Sequence, residues 1–252
     1  MSLFEHDNPV TLEPTEHRYF DTKGDEYTSW SHIIKQYKEP FEAKAIAFNV
    51  AKARGISQNQ VLDEWALTNK KAIDRGNYYH DNLEAYSKTG KPIEQGNEVT
   101  EMFIKQIGDF QSQFYYKCFE QALWLEEEKI AGTADLPVGF KAKRNGDQWI
   151  DIYDYKTNIS KGIRYHSEYL KSFKYPINHL LECEYNAYAL QLSAYALMAE
   201  TTWKYKIRKL GIIYIPEDPL MWHIIPVPYM KAEARLLINN FVKNKEANAT
   251  TV

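Results

Sequence analysis

A stretch of eight residues near the middle of the chain, Trp149–Lys156, places charged side chains among isoleucines and aromatic residues. In a β-strand successive side chains point to opposite faces, so Ile150, Ile152, Asp154 and Lys156 share one face. The two isoleucines predict that this face looks into the core. A carboxylate and an ammonium there are costly unless they pair or bind something. The segment therefore predicts a buried strand that carries either a structural ion pair or a functional site.

The rest of the chain predicts a mixed α/β domain, because helical patterns precede residue 122 and strands alternate with helices after it. An N-terminal hairpin is predicted over 17–20 and 26–30, followed by a short helix that Ser31 caps and that ends before Pro40. We expect one domain over 1–252, with an elaboration at 1–70, a core at 71–226 and a C-terminal helix and tail at 227–252. Further helices are expected at 41–53, 59–88, 97–121, 183–201 and 229–244. Strands are expected at 123–130, 133–142, 148–156, 209–215 and 221–226, with an Asn145-Gly146 turn before the third of the domain's central strands.

Composition narrows the class of protein only modestly. The net charge of −3 and the pI near 6.2 count mildly against a nucleic-acid binder, although the placement of positive charge matters more than its total. The sequence has no apolar run long enough to cross a membrane and no secretory pattern at its start, which predicts a cytoplasmic protein. Its two cysteines cannot ligate an iron–sulfur cluster that needs four.

A second carboxylate, Asp135, lies on the strand expected before the alternating one. A short hairpin joins the two strands, so Asp135 is expected near Asp154. Two neighbouring carboxylates repel, and a divalent cation stabilises such a site. Mg²⁺ or Mn²⁺ prefers carboxylates, a carbonyl and waters, and the backbone carbonyl of Tyr155 is placed to complete the set. Lys156 is then expected to orient or deprotonate the attacking water, or to neutralise charge on a phosphate.

Two helical pairs fit the same site. His80 and Glu84 stand four residues apart, as do Gln191 and Tyr195, so each pair shares one helix face. His80 is a candidate metal ligand, with a half-buried structural histidine as the plainer alternative. Glu84 is expected to be a more distant partner of the site or a surface acid. The Gln191 and Tyr195 side chains are candidates to bond a phosphate or a catalytic group, or form an ordinary polar stripe. One acid of Glu126–Glu128 could also approach the metal, although solvated strand acids are common.

Taken in order, these motifs resemble the PD-(D/E)XK nuclease superfamily, most closely its RecB-like branch of phage-type exonucleases and the mitochondrial genome-maintenance exonuclease group. The residues that carry the resemblance are Gly76 with His80, Gly132–Asp135, Asp154–Lys156, and Gln191 with Tyr195; the segment Glu26–Ile34 is also similar. The resemblance implies a restriction-endonuclease-like core, a central mixed sheet flanked by helices. It implies His80, Asp135, Asp154 and the Tyr155 carbonyl as ligands of Mg²⁺ or Mn²⁺. It also implies Lys156 as the catalytic lysine, with Gln191 and Tyr195 as the signature of the branch. The four cluster cysteines of the Cas4-like members are absent, so no cluster is implied.

The function expected from this resemblance is a DNA exonuclease that acts on single strands or duplex ends in recombination, repair or phage DNA processing. A bacterial or phage-infected cell, and a recombination or single-strand-binding protein as partner, are further expectations. Three alternatives stay open. They are a structure-specific or restriction-like endonuclease, a non-catalytic DNA-binding protein that kept the fold, and a glycoside hydrolase with two catalytic carboxylates.

Overall fold

The computed structural model of the protein describes residues 8–13, 16, 18–93, 95–141, 147–158, 162–167, 170–217 and 221–249. Helices and strands alternate along the chain as expected of a mixed α/β protein. The strands are β1 Val10–Glu13, β2 Arg18–Asp21, β3 Glu26–Ser29, β4 Tyr116–Lys117, β5 Gln121–Leu125, β6 Ile130–Ala134, β7 Leu136–Lys141, β8 Gln148–Lys156, β9 Lys206–Tyr214 and β10 His223–Val227. The helices are α1 Trp30–Gln36, α2 Ala43–Arg54, α3 Gln58–Thr89, α4 Glu98–Ser112, α5 Glu184–Thr202 and α6 Lys231–Ala249.

The mixed α/β class is confirmed, but the strands are shared between two five-stranded sheets instead of forming one. The first sheet has the order β1-β2-β3-β6-β5 and the second the order β10-β9-β8-β7-β4. Each sheet is mixed, because β3 and β6 pair in parallel in the first and β8 and β9 in the second. Helices flank the sheets, and the core lies between the sheets and those helices.

The chain passes from the first sheet to the second at Asp135, which separates β6 from β7. The antiparallel partner bends at the same level, where Glu120 adopts a left-handed conformation with φ of 48°. The Glu120 N–H donates to the Asp135 carbonyl over 3.1 Å, and the Cys118 N–H donates to the Pro137 carbonyl over 3.1 Å. The segments β4–β5 and β6–β7 therefore form one bent hairpin that belongs to both sheets.

Three local predictions need correction. The cap of α1 is Ser29 rather than Ser31, because the Ser29 hydroxyl accepts the His32 N–H over 3.2 Å. Helix α4 ends at Ser112, whereas the pattern predicted helix to residue 121. The strands expected at 123–130 and 133–142 are redistributed into β5, β6 and β7, since residues 126–129 form a turn and Asp135 interrupts the second strand. The predicted Asn145-Gly146 turn lies outside the described residues.

A hydrophobic cluster packs on each face of strand β8. Ile150 and Ile152 pack into the cluster that includes α5, which confirms that the face carrying Asp154 looks inward. Tyr153 and Tyr155, on the other face, pack with residues of α3 and α4. Burial on both faces is what a central strand between helical layers requires.

The N-terminal hairpin forms as predicted, and its second strand β3 joins the edge of β6. Helices α2 and α3 pack against each other through a small apolar cluster of Ala47, Ala51 and Val61. The second half of α3 instead packs on the main fold through Tyr79 and Leu83. Within the described residues, none of the helices combines the length and apolar character needed to cross a membrane.

Candidate metal centre

The end of β8 places an acid and a lysine in the protein interior. Asp154 is 2% exposed, and its carboxylate forms an ion pair with the Lys156 ammonium. Burial lowers the pKa of Lys156, but the carboxylates of Asp154 and Asp135 raise it further, so the net shift is upward. Lys156 is consequently a cation at neutral pH in this setting.

Asp135 approaches the same place from the crossing between the sheets. Its carboxylate accepts the Tyr155 N–H over 2.7 Å, which fixes it beside the end of β8. The pairing of Leu136 with Tyr153 brings Asp135 level with Asp154, as the sequence predicted. Burial, and then the negative charge of Asp154, raise the pKa of Asp135 to about 7. The two carboxylates repel each other when both are ionised, and positive charge beside them relieves that repulsion.

His80 reaches the acids from α3. Its Nδ1 lies 3.1 Å from Glu120 Oε1, and its Nε2 lies 3.6 Å from Asp135 Oδ2. Burial lowers the pKa of His80, but Asp135 and Glu120 raise it to about 9. In the absence of a metal the imidazolium therefore supplies positive charge between two acids.

Glu120 is the site residue that the sequence reasoning missed. Ligand atoms of His80, Glu120 and Asp135 all lie within 4.8 Å of one another, so these three side chains could hold a metal ion. Imidazole and carboxylate oxygen are donors that divalent metals such as Mg²⁺ and Mn²⁺ accept, with carboxylates preferred. The chemistry of the donor set fits the predicted metal. The signal was weak, since the sequence placed Glu120 at the end of a helix.

The predicted ligand set is thus brought together only in part. His80 and Asp135 belong to the three-residue group, while Asp154 lies beside it and pairs with Lys156. The backbone of Tyr155 is held at the site through its N–H. Metal binding by His80, Asp135, Asp154 and the Tyr155 carbonyl stays a prediction.

Gln191 and Tyr195 of α5 lie on the Asp154 side of the cluster. The Gln191 amide lies 3.3 Å from Asp154 Oδ1 and 3.1 Å from the Tyr195 hydroxyl, and it donates to both. The Tyr195 ring packs on the backbone of Gly132, where a Cβ would come within 2.4 Å of ring carbon Cε1. A glycine is required there so that the ring can approach β6 closely.

The other acids considered from the sequence lie away from the three-residue group. Glu84 accepts a bond from Lys88 over 2.6 Å, one turn along α3. Glu128 accepts a bond from Arg235 of α6 over 2.8 Å. Residues Glu126–Glu128 occupy the turn between β5 and β6, at the far end of that hairpin from Asp135. These acids are therefore not part of the three-residue group.

Comparison with known proteins gives little information about this site. No family model matches the chain, and no curated protein matches its sequence. Among solved structures, it is similar to a "Putative exonuclease" from Eubacterium rectale at a TM-score of 0.37 and 14% identity, over 84% of this chain and 71% of that one. It is also similar to the protein SSO0001, at a TM-score of 0.30 and 14% identity, over 65% and 70% of the two chains. Because both TM-scores are low, the likenesses carry no weight for function, which depends on the site's own chemistry.

Proposed function

We propose that this protein is a divalent-metal-dependent deoxyribonuclease of the PD-(D/E)XK type, and that it acts as an exonuclease on single strands or duplex ends. The observation that carries the proposal is the convergence of His80, Glu120 and Asp135 beside the buried pair of Asp154 and Lys156. A structural ion pair would need no further acids around it. Phosphodiester hydrolysis needs a cation site, a positioned water and positive charge near the phosphate.

In the proposed enzyme His80, Glu120 and Asp135 hold Mg²⁺ or Mn²⁺, with Asp154 and the Tyr155 carbonyl as further ligands. The bound cation would supply Lewis-acid stabilisation and make a coordinated water a stronger nucleophile. His80 must lose its proton to become a ligand, so proton and metal compete for one place. The buried surroundings strengthen every electrostatic contact made inside the site.

Lys156 is proposed to neutralise phosphate charge and to orient the attacking water. The support is its ion pair with Asp154, which places an ammonium beside the three-residue group, where it would stabilise negative charge on a bound phosphate. The Tyr188 ring, whose centroid lies 4.9 Å from the ammonium, favours the charged form.

Gln191 is proposed as a positioning residue. Its amide donates to Asp154 Oδ1 and so orients the carboxylate whose other oxygen faces Lys156. The Tyr195 hydroxyl accepts from the same amide and fixes its direction. An Asp154 carboxylate held in one orientation presents its oxygens to metal and lysine at once.

The single-domain organisation over 1–252 is proposed on the same ground. The candidate site draws on α3, the bent hairpin, β8 and α5, so one domain has to bring together elements from residue 58 to residue 202. A cytoplasmic setting in a bacterial or phage-infected cell, and a recombination or single-strand-binding partner, complete the proposal.

The test is a cleavage assay on linear and circular DNA, each single- and double-stranded, with Mg²⁺, Mn²⁺ or EDTA. We expect metal-dependent loss of linear DNA while closed circles survive. Asp154→Asn keeps the shape of the side chain but removes its charge, and it should abolish cleavage. Asp147→Asn is the matched control, because Asp147 pairs with Lys206 at the other end of β8.

Nicking of circles would replace the exonuclease by the endonuclease alternative. An absence of metal-dependent cleavage on every substrate, or cleavage that survives Asp154→Asn, would contradict the proposed mechanism. Binding of DNA without cleavage would favour the non-catalytic alternative.

A further inference from the structure

A wide trough opens from the candidate metal centre toward the first half of α3. The cavity measures about 860 Å³, and His80, Tyr155 and Lys156 line its inner end. Its outer wall is formed by Phe41, just before α2, and by Trp65 of α3. The volume is several times what a metal and a water need, so the trough has room for part of a larger substrate.

The outer wall carries an aromatic pair at its surface. The rings of Phe41 and Trp65 lie 5.6 Å apart at 52°, and Phe41 is 66% exposed. Trp65 is half-buried and also supports the small cluster between α2 and α3. Large aromatic side chains left open beside a polar site are suited to stacking on a flat ligand.

A second cavity of about 320 Å³ continues the trough, because Phe41, Arg164 and Glu184 line both. It adds Lys38 and Lys171, which gives the outer part of the path positive charge. Two acids are also present, but each already accepts hydrogen bonds. Glu182 accepts the Glu39 N–H over 3.0 Å, and Glu184 forms an ion pair with the Arg164 guanidinium over 2.9 Å, so Lys38 and Lys171 are the main cations for a phosphate.

We propose that this trough is the path of an unpaired nucleic-acid strand, with Trp65 and Phe41 stacking on its bases and Lys38 and Lys171 following its phosphates. The inference rests on the proposed function, which it deepens by naming the form of the substrate and the residues that select it. A groove that combines aromatic faces with cations is how single strands are bound without sequence preference. Within a duplex the faces of paired bases are covered by their neighbours, so only a duplex end could contact the aromatic pair.

The test measures binding of a fluorescent oligothymidine in EDTA and in Ca²⁺, with the oligonucleotide checked to be intact afterwards. A second oligonucleotide keeps the sugar–phosphate backbone but carries abasic sites. The wild type should lose about tenfold in affinity for the abasic strand. Trp65→Leu keeps apolar bulk for the α2–α3 cluster but removes the ring. It should bind oligothymidine about tenfold more weakly and lose little more on the abasic strand.

Two further variants separate stacking from folding. Trp65→Phe retains a ring and should recover most of the affinity. Phe48→Leu is the matched control, because Phe48 is 59% exposed on α2 but lines neither cavity, and it should bind as the wild type does. Equal binding of both oligonucleotides by the wild type would overturn the inference. So would wild-type affinity in Trp65→Leu and Phe41→Leu, or tighter binding of a blunt duplex.

The same proteins assayed for cleavage in Mg²⁺ keep the two proposals apart. Ring-dependent binding with no cleavage by the wild type would overturn the proposed function and leave the strand path standing. Cleavage by the wild type with ring-independent binding would overturn the strand path alone.

Discussion

The backbone N–H of Glu120 donates to the backbone carbonyl of Asp135 over 3.1 Å, where the hairpin of β4–β5 and β6–β7 bends from one sheet into the other. The bond sets the two residues opposite each other, and their carboxylates both reach His80. The bend of the hairpin thus determines the geometry of the candidate metal centre.

Glu120→Gln should weaken binding of Mn²⁺ by at least about tenfold, because the amide offers no negative charge to a cation. Isothermal titration calorimetry of the variant and the wild type measures the change. Glu84→Gln is the control, since Glu84 lies on the same helix as His80 but pairs with Lys88. If both variants bind Mn²⁺ like the wild type, Glu120 is not a ligand.

Lys156→Ala should lower the cleavage rate by about a hundredfold or more, because the ammonium would stabilise charge on the phosphate. Binding of Mn²⁺ should stay at least as tight, because the ammonium competes with the metal for the acids and is not a ligand. Single-turnover cleavage and calorimetry give the two quantities. Lys206→Ala, which removes a half-exposed lysine paired with Asp147, should change neither. Loss of metal binding in Lys156→Ala would show that the lysine organises the ligands instead.

Thermal stability without metal should depend on pH through Asp135. Burial and Asp154 raise the pKa of Asp135 from its ordinary value of 3.8 to about 7. The folded protein then holds a proton that the unfolded chain has already released, so stability is lost as pH rises from about 4 through about 7. Asp135→Asn cannot titrate, and in EDTA the Tm of the wild type should fall relative to the variant across that window.

The effect of Mg²⁺ on the Tm tests the same pH dependence in a second way. A bound cation favours the ionised carboxylate, so saturating Mg²⁺ should raise the Tm of the wild type most near and above pH 7 and should do little for Asp135→Asn. Melting curves that run parallel for both proteins, with and without Mg²⁺, would rule out Asp135 as the titrating group.

Gly132→Ala should destabilise the fold by about 1–3 kcal/mol, because the new methyl group meets the buried Tyr195 ring. Gly76→Ala is the contrasting change. Its Cβ would lie 3.7 Å from the Thr157 hydroxyl, an ordinary contact, and alanine favours helix by up to about 1 kcal/mol. Urea unfolding of both variants tests the pair. Equal stability in the two variants would show that Tyr195 moves aside at no cost.

The sequence predicts β8 and the face of it that looks inward, since alternation over Ile150, Ile152 and Asp154 depends only on the strand itself. The helices α3 and α5, with His80 and Gln191, are likewise predictable from local periodicity. Long elements with a strong pattern hold their identity in the folded protein.

Local sequence patterns do not predict the bend in the hairpin of β4–β5 and β6–β7. Residues Thr133–Leu136 read as one continuous strand, and only the pairing of β6 and β7 with different sheets shows the break at Asp135. Phe110 and Phe114 continue the helical spacing of apolar residues past Ser112, where α4 ends. The short strand β4, which precedes Glu120, was therefore not predicted. Both features are decided by packing between distant segments, which outweighs local propensity.

The parallel pairing of β3 with β6 has a consequence for how the chain is made. Thr28 lies opposite Ile130, so the N-terminal hairpin leaves the ribosome about 100 residues before its neighbour in the first sheet. Until β6 has been made, one edge of β3 has no partner strand. Without β3, one edge of β6 likewise has no partner strand, and the last residue of β6 adjoins Asp135. Contacts this distant in sequence slow folding. The candidate metal-binding acids Glu120 and Asp135 therefore gain the support of the N-terminal strands only once about half of the given chain has been made.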